Sequence, residues 1–139
     1  MLFKPSEFCC RKVIYIADPQ KLPTGIFLYT LRATRPAMLA EGLTPEELAL
    51  AGAHWQYSID LLKRGIVVFG GRTMVRDSSS FAPVVIRAAS MEAARSIVDK
   101  DPAVAGGVFH AEIFPFQPML MGEWPQEAAT VASGGVSYD

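Results

Sequence analysis

The sequence predicts an α+β domain in which strands and helices alternate as β-α-β-β-α-β. Three observations carry that prediction. A long helix is announced by a full set of start and stop signals between Thr44 and Gly65. A shorter helix opens at Ser90 and stops at Asp101-Pro102. Around them lie four short β-prone runs, at residues 26–32, 66–74, 81–88 and 108–114.

The elements follow in chain order. Residues 1–24 carry turn signals at Pro5, Asp18-Pro19 and Pro23 around the run 13–16 (VIYI), and read as an N-terminal extension that adds an edge strand or packs on a partner. The domain proper spans 25–118. Residues 26–32 (IFLYTLR) are apolar and aromatic between Gly25 and Pro36, which suits a first strand. A loop through Glu41 and Gly42 leads to Thr44 as N-cap, Pro45 at the first helical position and Glu47 completing a capping box. That helix runs to about Arg64, where Gly65 supplies a left-handed stop.

Residues 66–74 are the second strand, with Gly70 and Gly71 inside it, where glycine admits a bulge or a close approach to the backbone. A polar turn at 76–80 (RDSSS) joins it to an antiparallel third strand. Ser90 caps the second helix, with Glu92 in its favourable first turn. The fourth strand alternates Val108, His110, Glu112 and Phe114 against Phe109, Ala111 and Ile113. Residues 119–139, rich in Gly, Ser, Ala and Pro, form a tail that is mobile or docked on a partner subunit.

This order is the split arrangement of ferredoxin-like domains with an antiparallel sheet. Right-handed crossovers put both helices on one sheet face. The opposite strand faces are also apolar, and a second copy of the chain is the simplest cover, so a homodimer or higher homo-oligomer is expected.

Composition bounds the function. At 139 residues the chain can bury a core of its own. Charged residues make up 19% with a net charge of −1, interspersed rather than blocked, which gives none of the clustered basic surface that nucleic acid requires. Apolar runs such as 66–69 (IVVF) stop far short of the roughly 20 residues that span a bilayer. Lys4, Glu7, Arg11 and Lys12 interrupt any signal-peptide core. The two cysteines, Cys9 and Cys10, are adjacent, a strained geometry for a disulfide, and fit a reducing compartment. A cytoplasmic protein without membrane or nucleic-acid partners is expected.

Within the long helix, Leu48, Ala51, Trp55, Ile59 and Leu62 form a continuous apolar stripe expected to face the core, with Gln56, Asp60 and Lys63 wet. His54 falls on the border of that stripe, facing the sheet or a cavity beside it. An imidazole there can act as acid or base, or it can be a core-edge histidine satisfied by a carbonyl or by Ser58, one turn on. Asp101, at the entry to the fourth strand, could orient the imidazole and stabilise its protonated form; Asp-Pro is also a common turn dipeptide. Tyr29, Ser58, Gly70, Gly71 and His110 are candidate substrate-binding positions. His110 and Glu112 share a strand face, but no third ligand is supplied by spacing, so no metal is expected; acid/base work by His54 oriented by Asp101 would need no organic cofactor either, and none is expected.

The segment Ser90 to Ala94 (SMEAA), then Asp101-Pro102, Gly106-Gly107-Val108-Phe109 through Ile113 and Pro115-Phe116, resembles the YciI-like (YCII-related) proteins. So does His54 about eleven residues before Gly65, with Gly70-Gly71 after the second strand. The resemblance implies a dimeric α+β barrel and an active site built on His54 and Asp101. It departs at Ala51, where the family often has arginine, and at Ala103, where an aromatic often follows Asp-Pro; both alter the pocket lining. By analogy with similar barrels, small aromatic or lactone-like substrates are implied.

Three functions compete. The first is an enzyme doing cofactor-independent acid/base chemistry, isomerase-, lyase- or hydrolase-like. The second is a non-catalytic small-ligand-binding or accessory dimer of the same fold. The third is a scaffold that assembles through its termini.

Overall fold

The computed structural model describes the backbone of Ile14–Tyr15 and all of residues 25–123. In chain order the elements are β1 Ile14–Tyr15, β2 Ile26–Ala33, α1 Ala37–Glu41, α2 Pro45–Lys63, β3 Val67–Gly70, β4 Ala82–Arg87, α3 Met91–Asp99, α4 Pro102–Ala105, β5 Phe109–Pro115 and β6 Leu120–Met121. They fall into two units, residues 23–117 and a second built from the two ends of the chain. In the second, β1 pairs antiparallel with β6, Ile14 opposite Met121 and Tyr15 opposite Leu120. The β-prone run near residue 14 therefore pairs with the C-terminal segment. The rest of the predicted extension, with Cys9 and Cys10, and the tail beyond residue 123 lie outside the described residues.

In the larger unit β3-β4-β2-β5 form one antiparallel sheet. With α2 between β2 and β3, and α3 between β4 and β5, this is the α+β, ferredoxin-like order predicted. The helix ends form as their residues dictate. The Thr44 hydroxyl accepts the Glu47 N–H at 3.2 Å, and the Glu47 carboxylate accepts the Thr44 N–H at 2.8 Å. Gly65 takes φ 72° beyond the end of α2. The Ser90 hydroxyl caps α3 by accepting the Ala93 N–H.

Three expectations need correction. The second strand ends at Gly70, so Gly71 lies beyond it. The pairing continues only as isolated bonds, Gly71 N–H to Pro83 O and Thr73 N–H to Phe81 O, because Pro83 has no N–H to return. The loop near Glu41 contains α1, and Asp101-Pro102 not only ends α3 but begins α4, with Asp101 as N-cap and Pro102 at the first position.

The third correction concerns α2. Leu48, Trp55 and Leu62 are exposed by 55%, 47% and 51%, while Leu61 is buried and Leu50, His54 and Tyr57 are partly covered. The core-facing stripe is the one through Leu50, His54, Tyr57 and Leu61. Gln56, Asp60 and Lys63 are exposed as expected.

The core lies between helices and sheet. Phe27, Tyr29 and Leu31 of β2 and Val84 and Ile86 of β4 are buried against Ala94 and Val98 of α3. Met38 of α1, Ala103 of α4 and Val108 form an adjoining cluster, with Leu50 packed on it. The register puts Phe109, Ala111 and Ile113 on this same face, because they lie opposite Ala33, Leu31 and Tyr29.

Candidate functional site

The site is built where α2 crosses α4. Gly106, at the end of α4, lets the two helices close. A Cβ there would sit 2.6 Å from Leu50 Cδ1 and 2.9 Å from the Pro102 carbonyl oxygen. One turn beyond Leu50, α2 presents His54 to the first turn of α4.

His54 Nδ1 lies 2.6 Å from Asp101 Oδ2. The other carboxylate oxygen, Oδ1, accepts the Ala103 N–H at 3.0 Å. Asp101 is thus fixed by the helix it caps, and its free oxygen is aimed at the imidazole. Its side chain is 1% exposed, against 19% for His54. The ring is braced by Phe109 of β5, which meets it edge to face with centroids 5.6 Å apart at 81°.

A carboxylate accepting at Nδ1 favours the tautomer that carries its proton there, leaving the Nε2 lone pair open. No protein group among the described residues hydrogen-bonds to Nε2. Because no buried side-chain nitrogen or oxygen among them lacks a partner, Nε2 is reached by solvent. The arrangement is an imidazole with one nitrogen anchored and one available for proton transfer.

Two tyrosines border it. Tyr57, three residues after His54 on the same helix face, donates its hydroxyl to the Ile97 carbonyl at 2.8 Å and ties α2 to α3 just before Asp101. Its phenol is pushed up by burial and then by the charge of Asp101. Tyr29 is buried in the sheet, and burial, followed by Asp101 and Tyr57, pushes its hydroxyl well above the ordinary phenol value. Both phenols are held in the protonated form, and Tyr57 is the one that donates a hydrogen bond.

The other predicted positions separate. Ser58 is partly buried on α2 but does not hydrogen-bond His54, which takes Asp101 instead. Gly70 and Gly71 belong to the β3 side, and β3 is the edge strand opposite β5, three strand spacings or about 14 Å across the sheet. His110 is exposed on the opposite sheet face, opposite Arg32 and 3.8 Å from Glu112. Among the described residues no group of three or more His, Cys, Asp or Glu side chains is placed to hold a metal.

A cleft of about 300 Å³ opens between α3, α4 and β5, lined by Arg95, Val98, Asp99, Val104 and residues Phe109, His110, Ala111 and Ile113. Phe109 is common to the cleft and to the His54 contact. Phe109, Tyr57 and the Ala103 amide were not singled out in the sequence. The three-residue step from His54 to Tyr57 was the available signal for one of them. Reading Asp-Pro as N-cap and first helical residue was the signal for another.

No match is found among curated proteins. Among solved structures, 5-chloro-2-hydroxyhydroquinone dehydrochlorinase from Burkholderia phenoliruptrix, in complex with 2,5-dihydroxybenzoquinone, is similar over 65% of this chain and 92% of its own, at 20% identity and a TM-score of 0.48. No helix among the described residues is long and apolar enough to cross a membrane. The model of the YCII-related domain matches residues 26–117, the whole sheet-and-helix unit from β2 to the end of β5, and the chain belongs to that family.

Proposed function

We propose that this chain is an enzyme in which His54 moves a proton to or from a small organic substrate, oriented by Asp101. The observation that carries the reading is the 2.6 Å contact between His54 Nδ1 and a carboxylate whose other oxygen is held by the backbone of α4. That contact anchors one ring nitrogen and leaves Nε2 as base, or as acid once protonated. The chemistry is isomerase-, lyase- or hydrolase-like, needing only a proton relayed at Nε2, so no metal or organic cofactor is invoked. Phe109, edge-on to the imidazole, supports an aromatic or lactone-like substrate lying flat nearby.

The working form is a homodimer closed across the open sheet face. Its support is a cross-strand row of Phe69, Val85, Leu28 and Phe114, one from each strand and facing away from the helices. Phe69 and Phe114 are each 44% exposed. His110 and Arg32 lie on that same face and would line the space between the two sheets. The site is proposed for the cytoplasm.

The test is a thermal-shift panel of hydroxybenzoates, dihydroxyquinones and small lactones, followed by product analysis of each stabilising compound. Native protein should convert a binder, and His54→Ala should bind it without converting it while melting within a few degrees of native. A binder recovered unaltered from native protein, or equal conversion by His54→Ala, would contradict the reading.

A further inference from the structure

We propose that the outer edge of β5 pairs antiparallel with β5 of a second copy of this chain, about a two-fold axis through Ala111, so that two sheets become one. The four-stranded sheet ends in two edges, β3 and β5. The β3 edge is guarded, because it is four residues long and its register against β4 slips between Val67 and Phe69. β5 is seven residues long and pairs with β2 in unbroken register. Only Pro115, at its end, would block a further strand.

The register fixes which backbone groups are open. The Thr34 N–H donates to the Val108 carbonyl and the Phe116 N–H to the Ile26 carbonyl. The even-numbered residues of β5 therefore bond to β2, and the N–H and C=O of Phe109, Ala111 and Ile113 point away from the sheet. None of these backbone groups has a partner among the described residues. The cleft of about 300 Å³ runs along this same edge, with Val98 and Val104 on its far side. A groove between a helix and an open strand edge is where an added strand fits.

The order of residues says which strand that is. An axis through Ala111 sets Ala111 opposite Ala111 and Phe109 opposite Ile113 on both sides, and every open N–H and C=O finds a partner. An axis at Glu112 would bring Phe109 against Pro115, which has no N–H, and carboxylate against carboxylate. An axis at His110 would bring Ile113 against Gly107, whose N–H is already given to the Val104 carbonyl. Only the Ala111 register also places His110 of each copy opposite Glu112 of the other. Within one chain His110 Nε2 lies 3.8 Å from Glu112 Oε1. Imidazole and carboxylate thus alternate around the axis on the open sheet face. An unrelated strand would require no such match between two residues of β5.

The contact reaches the proposed site, since Phe109, edge-on to His54, gains Ile113 of the second copy beside it. It uses the edge of the sheet, so packing across the open face can coexist with it. Amide hydrogen exchange of the full chain is the test. The N–H groups of Phe109, Ala111 and Ile113 should exchange as slowly as those of His110 and Glu112, which bond within the sheet. Ala111→Pro removes an N–H that the sheet does not use, and should halve the mass by light scattering with melting still cooperative. Glu112→Lys and His110→Glu should each weaken the association about fivefold or more, and the two together should restore it. Rapid exchange at the three open amides, a monomeric native chain, or a mass unchanged by Ala111→Pro would overturn the proposal.

Discussion

At the scale of the residue, everything turns on how Asp101 divides its two oxygens. Oδ1 closes the first turn of α4 and Oδ2 holds His54. Asp101→Asn can keep the cap but turns an N–H toward Nδ1, which drives the ring proton to Nε2 and removes the proposed base. Turnover is expected to fall about 10²- to 10⁴-fold, with little change in melting temperature. Asp101→Ala removes both bonds and leaves the Ala103 N–H without its acceptor, so about 1–3 kcal/mol of stability should go with the activity. Denaturant titrations beside product assays separate the two variants. Both residues are visible in the sequence but their contact is not, because they are 47 positions apart and only the packing of α2 on α4 joins them.

At the scale of the element, α2 is set by its two ends. The Arg35 guanidinium binds both oxygens of Glu47, at 2.8 and 2.7 Å, and with the Thr44 N–H it holds that carboxyl down at about 2, from an ordinary 4.5. A carboxyl whose folded value is depressed stabilises the fold above its unfolded value and loses that contribution as pH falls toward the folded one. Glu47→Gln should therefore melt below native at neutral pH, with the gap closing between about pH 4.5 and 2. Calorimetry across that range checks it. Thr44→Ala should cost about 1 kcal/mol through the lost cap. At the crossing with α4, Gly106→Ala should cost about 1–3 kcal/mol by driving a Cβ into both the Leu50 side chain and the Pro102 carbonyl, and should also lower the proposed turnover by moving His54 from Asp101.

These caps are local chemistry, which is why Thr44, Gly65 and Ser90 were legible in sequence. The short helices α1 and α4 were not, since four or five residues carry no periodicity. On α2 the apolar pattern pointed to the wrong face. Two stripes are present, and the one that packs inward is chosen by the partners it finds there, Asp101 for His54 and the Ile97 carbonyl for Tyr57.

At the scale of the whole molecule, the alternation of strands and helices and the antiparallel sheet followed from the sequence pattern, and the structure has them, with the sheet order β3-β4-β2-β5 supplied by the structure. What alternation left exposed is the far side of the sheet, with Leu28, Val85 and Phe114 in a row. If a second copy covers that row, Val85→Asp or Phe114→Asp should lower the mass in solution without unfolding the domain. Ala103 is fully buried in the cluster with Met38 and Val108, so a larger side chain there would have to displace its neighbours.

The most direct measurement is heteronuclear NMR of the imidazole nitrogens, with His110→Gln used to assign the two histidines of the chain. Neutral His54 should carry its proton on Nδ1 with Nε2 bare, and Asp101→Asn should reverse the two. A native ring protonated at Nε2, or one indifferent to Asp101→Asn, would contradict the claim that this carboxylate prepares the imidazole for proton transfer.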